Sequence, residues 1–252
     1  MKIDERLDEI LKGELPEHVA VIPDGNGRWA HSRGLERTEG HREGTRRAED
    51  LIEFVSKKLP IEYLTFYTFS TENWSRPESE VKFLMSLLKD LLGKRGRKLL
   101  KNDIRLRVIG NMDGLPNGTR RVVRRMVNKS ETNSGLQLIL ALNYGGRQEI
   151  LSAVKDLVSE ALSGELTAGE ISEEIFRSHL YTSDIPDPDL LIRTSGEKRI
   201  SNFLLWQLAY TEIWITEEFW PSFSPEHLLD ALSDFQQRER RFGRVDKGNY
   251  DQ

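Results

Sequence analysis

Short apolar runs alternate with longer stretches of helical periodicity along this chain, and that alternation limits the fold more than any other feature. His18–Pro23 (HVAVIP) has the length and β-branched content of a buried strand. Arg42–Lys58 reads as the helix behind it, ending before Pro60. Glu62–Phe69 (EYLTFYTF) is a second strand, and Val81–Leu100 sets Val81, Leu84, Leu88 and Leu91 on one helical face. Ile104–Ile109 alternates as a third strand, and Pro116–Thr132 is a helix with proline at its start. Leu136–Leu142 is a continuous apolar strand of the kind buried on both faces. A helix over Gln148–Leu162, a surface connection over Glu160–Glu174 and a short helix capped by Ser172 come next. Strands at Leu190–Arg193 and Glu212–Thr216 and a helix from Ser224 to about Phe242 complete the pattern.

Strand–helix alternation with few hairpin signals implies an α/β fold, a single domain with a central, mostly parallel sheet flanked by helices. The expected domain is residues 1–252, with its core over 18–243 and a peripheral N-terminal helix (3–12) and C-terminal tail. Ligands of such sheets bind outside the carboxyl ends of the strands, so the loops that follow strands are where chemistry is expected.

Charge excludes one class of partner. Lys plus Arg is 37 and Asp plus Glu is 41, a net charge of −4, which does not suit a general binder of nucleic acid. Arg120, Arg121, Arg124 and Arg125 lie beside Val122, Val123 and Met126 and read as the solvated face of a helix. With no cysteine, thiolate metal ligands and disulfides are excluded. The start, MKIDERLDEILKGELPEH, lacks the apolar region of a signal peptide, and the longest apolar runs are too short to span a bilayer. A soluble, cytoplasmic protein is expected.

The loops after the strands are polar in a particular way. Asp24-Gly25-Asn26-Gly27-Arg28-Trp29 follows the first strand. Its glycines permit a tight turn that presents N–H groups to an anion, Asp24 offers a hard oxygen to Mg²⁺, and Arg28 offers a planar fork to phosphate. An ordinary DG/NG turn explains the spacing equally well. Arg37 and His41, with Gly40 between them at a helix start, suit a phosphate site, a signal that is weak by itself. Ser70-Thr71-Glu72-Asn73-Trp74-Ser75-Arg76-Pro77 follows the second strand, and a rigid turn packed on the core accounts for Trp74 but poorly for Asn73 and Arg76. Arg193, Arg199 and Ser201 could surround a second anion, and Glu212 could reach a metal or pair with an arginine. An acidic chain with Arg-, Gly-, Ser- and Asn-rich loops suggests two diphosphates and a metal.

Taken together, HVAVIPDGNGRWA, RTEGHREG, TFYTFSTENWSRPESEV, LALNYGGRQEI, DIPDPDLLIRTSGEKRISNFLLWQLAYTEIWI and RERRFG resemble the cis-prenyltransferases, undecaprenyl diphosphate synthases above all. They run from about His18 to Gly243. The resemblance implies a homodimer with a hydrophobic tunnel, sequentially condensing isopentenyl diphosphate onto an allylic diphosphate with Mg²⁺ as cofactor. Long-chain products such as undecaprenyl diphosphate are implied first, short or medium chains second, and a non-catalytic partner subunit last, because the Asp24–Arg28 loop is intact. A lipid product implies transient contact with the inner membrane face.

The resemblance also assigns roles. Asp24 becomes the Mg²⁺-linked carboxylate and Glu212 completes the metal site. Gly25, Asn26, Gly27, Arg28, Arg37, His41 and Arg76 hold the allylic diphosphate, with Trp29, Ser70, Thr71, Glu72 and Trp74 lining that site or its mobile loop. Arg193, Arg199, Ile200 and Ser201 take isopentenyl diphosphate. Asn73, often assigned as the proton acceptor, is a neutral amide and a poor base, so it is expected to orient substrate while a diphosphate oxygen takes the proton. Lys198 stands where many relatives carry His or Gln, and a protonated lysine cannot ligate a metal. Leu136 is expected near the tunnel floor, and the C-terminal elements at the dimer contact.

Overall fold

A computed structural model describes residues 3–93 and 95–238. Helix α1 (Ile3–Ile10) precedes β1 (His18–Ile22), α2 (Asn26–His31), α3 (Arg37–Lys58) and β2 (Tyr63–Ser70). Then come α4 (Glu78–Gly93), α5 (Gly96–Lys101), β3 (Arg105–Ile109), α6 (Asn117–Ser130), β4 (Gln137–Tyr144) and α7 (Gly146–Ser163). The chain continues through α8 (Glu173–Ser178), β5 (Leu190–Arg193), β6 (Glu212–Ile215) and α9 (Pro225–Gln237).

The expected strands are all present, in a six-stranded sheet of order β3-β4-β2-β1-β5-β6 in which every pair is parallel. Several helix bounds differ from expectation. The stretch read as one helix over Val81–Leu100 is two, α4 and α5. Helix α3 begins at Arg37, five residues earlier than expected, which brings Arg37 and His41 onto one helix. The last helix ends at Gln237, where Arg238 turns to an extended backbone. Most of the RERRFG motif lies outside the described residues.

Period-two alternation divides the strands between two cores. Val19, Val21, Leu64, Phe66, Leu138, Leu140, Leu190 and Ile192 face one cluster with residues of α3, α4, α6 and α9. Ala20, Ile22, Ile139, Ala141 and Leu191 face the other, which Ile185, Phe203, Leu204 and Leu208 cover. Near the carboxyl ends the alternation breaks. The β2–β4 register shifts at Tyr67–Phe69 and again at Phe69–Ser70, and Asn143 takes a positive φ of 49°. Phe69 thereby joins the first cluster and Tyr144 the second, and the polar residues after each strand are aimed at the sheet's end.

Sheet order locates the crevice. From β1 the chain moves to β2, whereas β5 and β6 lie on the other side of β1. Loops leaving β1 and β5 therefore part company at adjacent carboxyl ends, the place where open α/β sheets take ligands.

Candidate active site

Asp24 is held between the loops that follow β1 and β5. Its N–H donates to the Thr194 hydroxyl oxygen (2.9 Å), and that hydroxyl donates back to the Asp24 carbonyl (2.7 Å). The carboxylate accepts from the Gly25 N–H (2.6 Å) and from Arg193 Nη2 (2.9 Å), with Arg28 Nη2 at 3.4 Å. Gly25 needs to be glycine here. Its φ is +99°, and an added Cβ would stand 2.4 Å from Ser195 Oγ and 2.8 Å from the Phe219 ring. Gly40 is needed for a different reason, since a Cβ there would sit 1.9 Å from the Asn26 carbonyl, and so α3 can press against the start of α2.

Two open polar clefts share Pro23, Asp24 and Arg76. One is bordered by Gly25, Asn26, Gly27, Arg28, Arg37 and His41. The first turn of a helix leaves N–H groups without intrahelical partners, and that of α2 opens here. The other is bordered by Tyr67, Ser70, Glu72, Asn73, Arg193, Ser201 and Asn202. Arg193 is buried, donates Nη1 to Ser201 Oγ (2.8 Å) and to the Arg199 carbonyl, and keeps a buried Nε without a partner. Asn73 accepts the Ser70 N–H on its side-chain oxygen (3.1 Å), so its NH₂ group remains to donate.

An apolar cleft opens beside the first polar cleft, and Pro23, Asn26 and His41 border both. Its walls are Ala48 and Ile52 of α3, Leu84, Leu87, Leu88 and Leu91 of α4, and Phe66, Phe69 and Leu140 of the sheet. A neighbouring space shares Ile52 and Leu91 with it and extends to Leu99, Ile104 and Leu138. Leu136, expected near a tunnel floor, is buried in the core but borders neither space, whereas Leu138 and Ile104 line the second. Leu136 faces the same side of the sheet as Leu138 and Leu140, but it precedes β4 and lies one strand repeat farther from the cleft.

Other expected residues do not meet the clefts. Glu212 opens β6 and is in register with Leu190, while Ile22, Arg193 and Ile215 align at the opposite end. Three residues at ~3.3 Å each keep Glu212 about 10 Å short of the carboxyl ends. Its carboxylate is bound by Arg238 Nη1 (2.8 Å), away from Asp24 of the same chain. Trp29 donates to Ser222 Oγ (3.0 Å), lies under Arg33, and borders a separate surface pocket. Trp74 packs edge-on against Phe69 and donates to Asn143 Oδ1 (2.7 Å), a rigid turn rather than a lining. Thr71 lies against Gly145, and Ile200 packs on the second core. Arg199 is exposed and paired with Glu197.

Residues not anticipated complete the arrangement. Glu197 binds both Arg28 (3.0 Å) and Arg199, Asn202 donates to Glu72 (2.8 Å), and Thr194 fixes Asp24. Glu80 receives Arg37, His41 and Arg76 together. Only its spacing of four from Arg76 was visible in sequence. Burial is the main influence on His41 and lowers its pKa, with hydrogen bonding to Glu80 opposing that shift.

Among the described residues no group of three or more His, Cys, Asp or Glu stands where it could hold a metal. The donor set suits Mg²⁺ nonetheless. That ion is commonly held by one or two carboxylates and by substrate phosphates and water, and Asp24, partly exposed between two basic clefts, is such a carboxylate.

Known proteins carry the same pattern. Residues 22–243 match the family described as "Putative undecaprenyl diphosphate synthase". The isoprenyl transferase of Bacillus anthracis is 49% identical over 242 residues, spanning 96% of this chain and 93% of that protein. That of Geobacter sulfurreducens is 51% identical over 236 residues, spanning 94% and 96%. Lavandulyl diphosphate synthase of Lavandula x intermedia, solved with dimethylallyl diphosphate, superposes with a TM-score of 0.89 at 38% identity, over 94% of this chain and 100% of that one. A "probable undecaprenyl diphosphate synthase" of Campylobacter jejuni gives 0.74 at 34% identity, over 91% and 99%. Two basic clefts meeting at one carboxylate, an apolar cleft beside them and these relatives have one reading: the chain is an isoprenyl transferase of the undecaprenyl diphosphate synthase family.

Proposed function

We propose that the enzyme adds isopentenyl diphosphate repeatedly to an allylic diphosphate, with Mg²⁺, to make a long cis-polyprenyl diphosphate. The observation that carries this reading is the connectivity of the clefts. The cleft of Arg28, Arg37 and His41 shares Pro23, Asn26 and His41 with the apolar space, whereas the other polar cleft shares Pro23 alone, so the former takes the substrate that has a tail. The cleft of Arg193, Ser201 and Asn73 takes isopentenyl diphosphate, and Arg76 touches both.

The geometry supports the following roles. Arg28, Arg37 and Arg76 meet the charge that grows on the departing allylic diphosphate as its carbon–oxygen bond breaks. Arg193 and Ser201 fix the second diphosphate, and the Asn73 amide donates to it and orients the alkene for attack on the allylic carbon. With its oxygen already engaged, Asn73 takes no proton, and a diphosphate oxygen receives the one lost as the cis double bond forms. Mg²⁺, when bound at Asp24, supplies charge neutralisation on the diphosphates. As the chain lengthens, its far end moves along Leu84, Leu88 and Leu91 toward Ile52.

A short-chain product is the second reading, favoured by likeness to the lavandulyl enzyme with its five-carbon ligand. The space beyond Ile52 and Leu91 favours the longer chain. Incubation with labelled isopentenyl diphosphate, Mg²⁺ and ten-, fifteen- or twenty-carbon starters, followed by product sizing, separates the two. No incorporation with any starter would overturn both.

The same proposal includes a homodimer in the cytoplasm, with its lipid product at a membrane face. No described helix is long and apolar enough to cross a membrane. Leu151, Val154, Val158 and Leu162 form an exposed apolar stripe along α7, which supports a second copy packing there rather than through the C-terminal elements alone. Loss of the dimer in Val158→Asp, read by sedimentation, is the expected result.

A further inference from the structure

A crowded polar contact lies on the first turn of α4. One oxygen of Glu80 accepts from Arg76 Nη1 (2.8 Å), Arg37 Nε (3.0 Å) and His41 Nε2 (3.2 Å). The carboxylate side chain is 11% exposed. Burial alone would raise its pKa, but Arg37, Arg76 and His41 together bring it below the usual range, so the group is an anion.

Those three donors come from one helix, α3, and from the loop that follows β2, and all three border the cleft assigned to the allylic diphosphate. An anion already sits on the cations that the substrate must engage. Two consequences oppose each other. Glu80 keeps the side chains gathered, and its charge repels any diphosphate entering the same array. A guanidinium has five N–H donors, and both arginines border the open cleft with donors that Glu80 does not use, so the diphosphate can bind alongside Glu80 but against its charge.

We propose that Glu80 is a built-in counter-anion that weakens diphosphate binding in the first cleft and so speeds the departure of pyrophosphate after each condensation. This rests on the two-diphosphate reading above. Pyrophosphate must leave that cleft before the lengthened product can re-engage it, and a cation array without an internal anion would retain it. Glu80 acts through its neighbours and is a positioning residue, not one that touches the reacting atoms.

The test uses full-length enzyme and inorganic pyrophosphate, titrated calorimetrically with and without Mg²⁺. Glu80→Gln keeps the shape and the acceptor oxygen but removes the charge. It is expected to bind pyrophosphate roughly ten- to a hundredfold more tightly, the effect of deleting one like charge ~6 Å away at an effective dielectric near 20. Its kcat and its KM for the allylic substrate both fall, and added pyrophosphate inhibits it more strongly than wild type. Glu80→Asp, which keeps the charge, restores wild-type affinity. A role confined to holding Arg37 and Arg76 in place predicts the opposite sign. Unchanged or weaker binding in a Glu80→Gln protein with wild-type circular dichroism therefore overturns the proposal. Arg37→Ala locates the site by weakening pyrophosphate in wild type. If it has no effect, the assignment of this cleft to a diphosphate fails, and the counter-anion with it.

Discussion

Product length is the property most open to a single substitution. The apolar cleft and the space beyond it share two residues, Ile52 of α3 and Leu91 of α4. Truncating Leu91 to alanine removes three methyl or methylene equivalents from that constriction and joins the two spaces. A further isoprene unit carries five carbons, and at ~0.8 kcal/mol per buried CH₂ its burial returns about 4 kcal/mol. Deleting a fully buried leucine costs roughly 2–5 kcal/mol. Leu91 is only half-buried, so its cost falls at the low end of that range. The balance favours chains longer by at least one unit, ending where Leu138 and Ile104 close the space and where Glu49–Arg95 and Glu53–Lys98 ion pairs place charge beside it. The assay is reverse-phase sizing of dephosphorylated products, beside a thermal melt. Leu136→Ala is the control, and is expected to melt lower without changing product length. An unchanged distribution in folded Leu91→Ala, or a lengthened one in Leu136→Ala, would refute the reasoning.

Three other outcomes are expected. Asp24→Asn should abolish nearly all turnover while melting close to wild type, because it still accepts from Arg193; Asp24→Ala, which strips the buried guanidinium of its carboxylate, should also lose stability. Arg193→Ala should raise the KM for isopentenyl diphosphate roughly ten- to a hundredfold, the loss of a charged hydrogen bond of about 1.5–3 kcal/mol, with a smaller effect on the allylic substrate; the reverse pattern would exchange the two clefts. His18 is buried, with Nδ1–H donating to the Pro186 carbonyl (2.7 Å) and Nε2 accepting from the Thr65 hydroxyl (2.7 Å), and burial lowers its pKa from 6.5 to about 4. The unfolded chain therefore binds the extra proton first, and stability present above pH 6.5 is lost as pH falls toward 4, by about 3 kcal/mol in full. Melts of wild type and His18→Gln across that window should differ in slope, and equal slopes would remove His18 as the cause.

Much of this was legible in the order of the residues. Six apolar runs of strand length, separated by helical stretches, are a local property, and each became a strand because period and propensity act over a few neighbours. Asp24, Arg28, Arg76 and Arg193 could be singled out for the same reason, since each lies at or just after the end of a strand and the chemistry of its loop is compact in sequence. The split at residues 93–96 was less visible, because Leu91, Leu92 and Leu99 carry the helical pattern straight through it.

Tertiary structure decided the rest, through distances that sequence spacing does not encode. Glu212 has the right chemistry for a metal, but parallel pairing sets it at the amino end of β6, a strand's length from Asp24. Leu136 and Leu138 differ by two positions, yet only Leu138 reaches the space beyond the apolar cleft, because the wall is built jointly with α3 and α5. Glu80 is one more acidic residue in RPESEV until the folding of α3 delivers Arg37 and His41 to it across about 40 residues of chain. Local composition determined which elements form and which loops are polar. The parallel register and the packing of α3 and α4 on the sheet determined which of those polar groups share a cleft, because electrostatics and apolar contact act over a few ångströms of space, not along the chain.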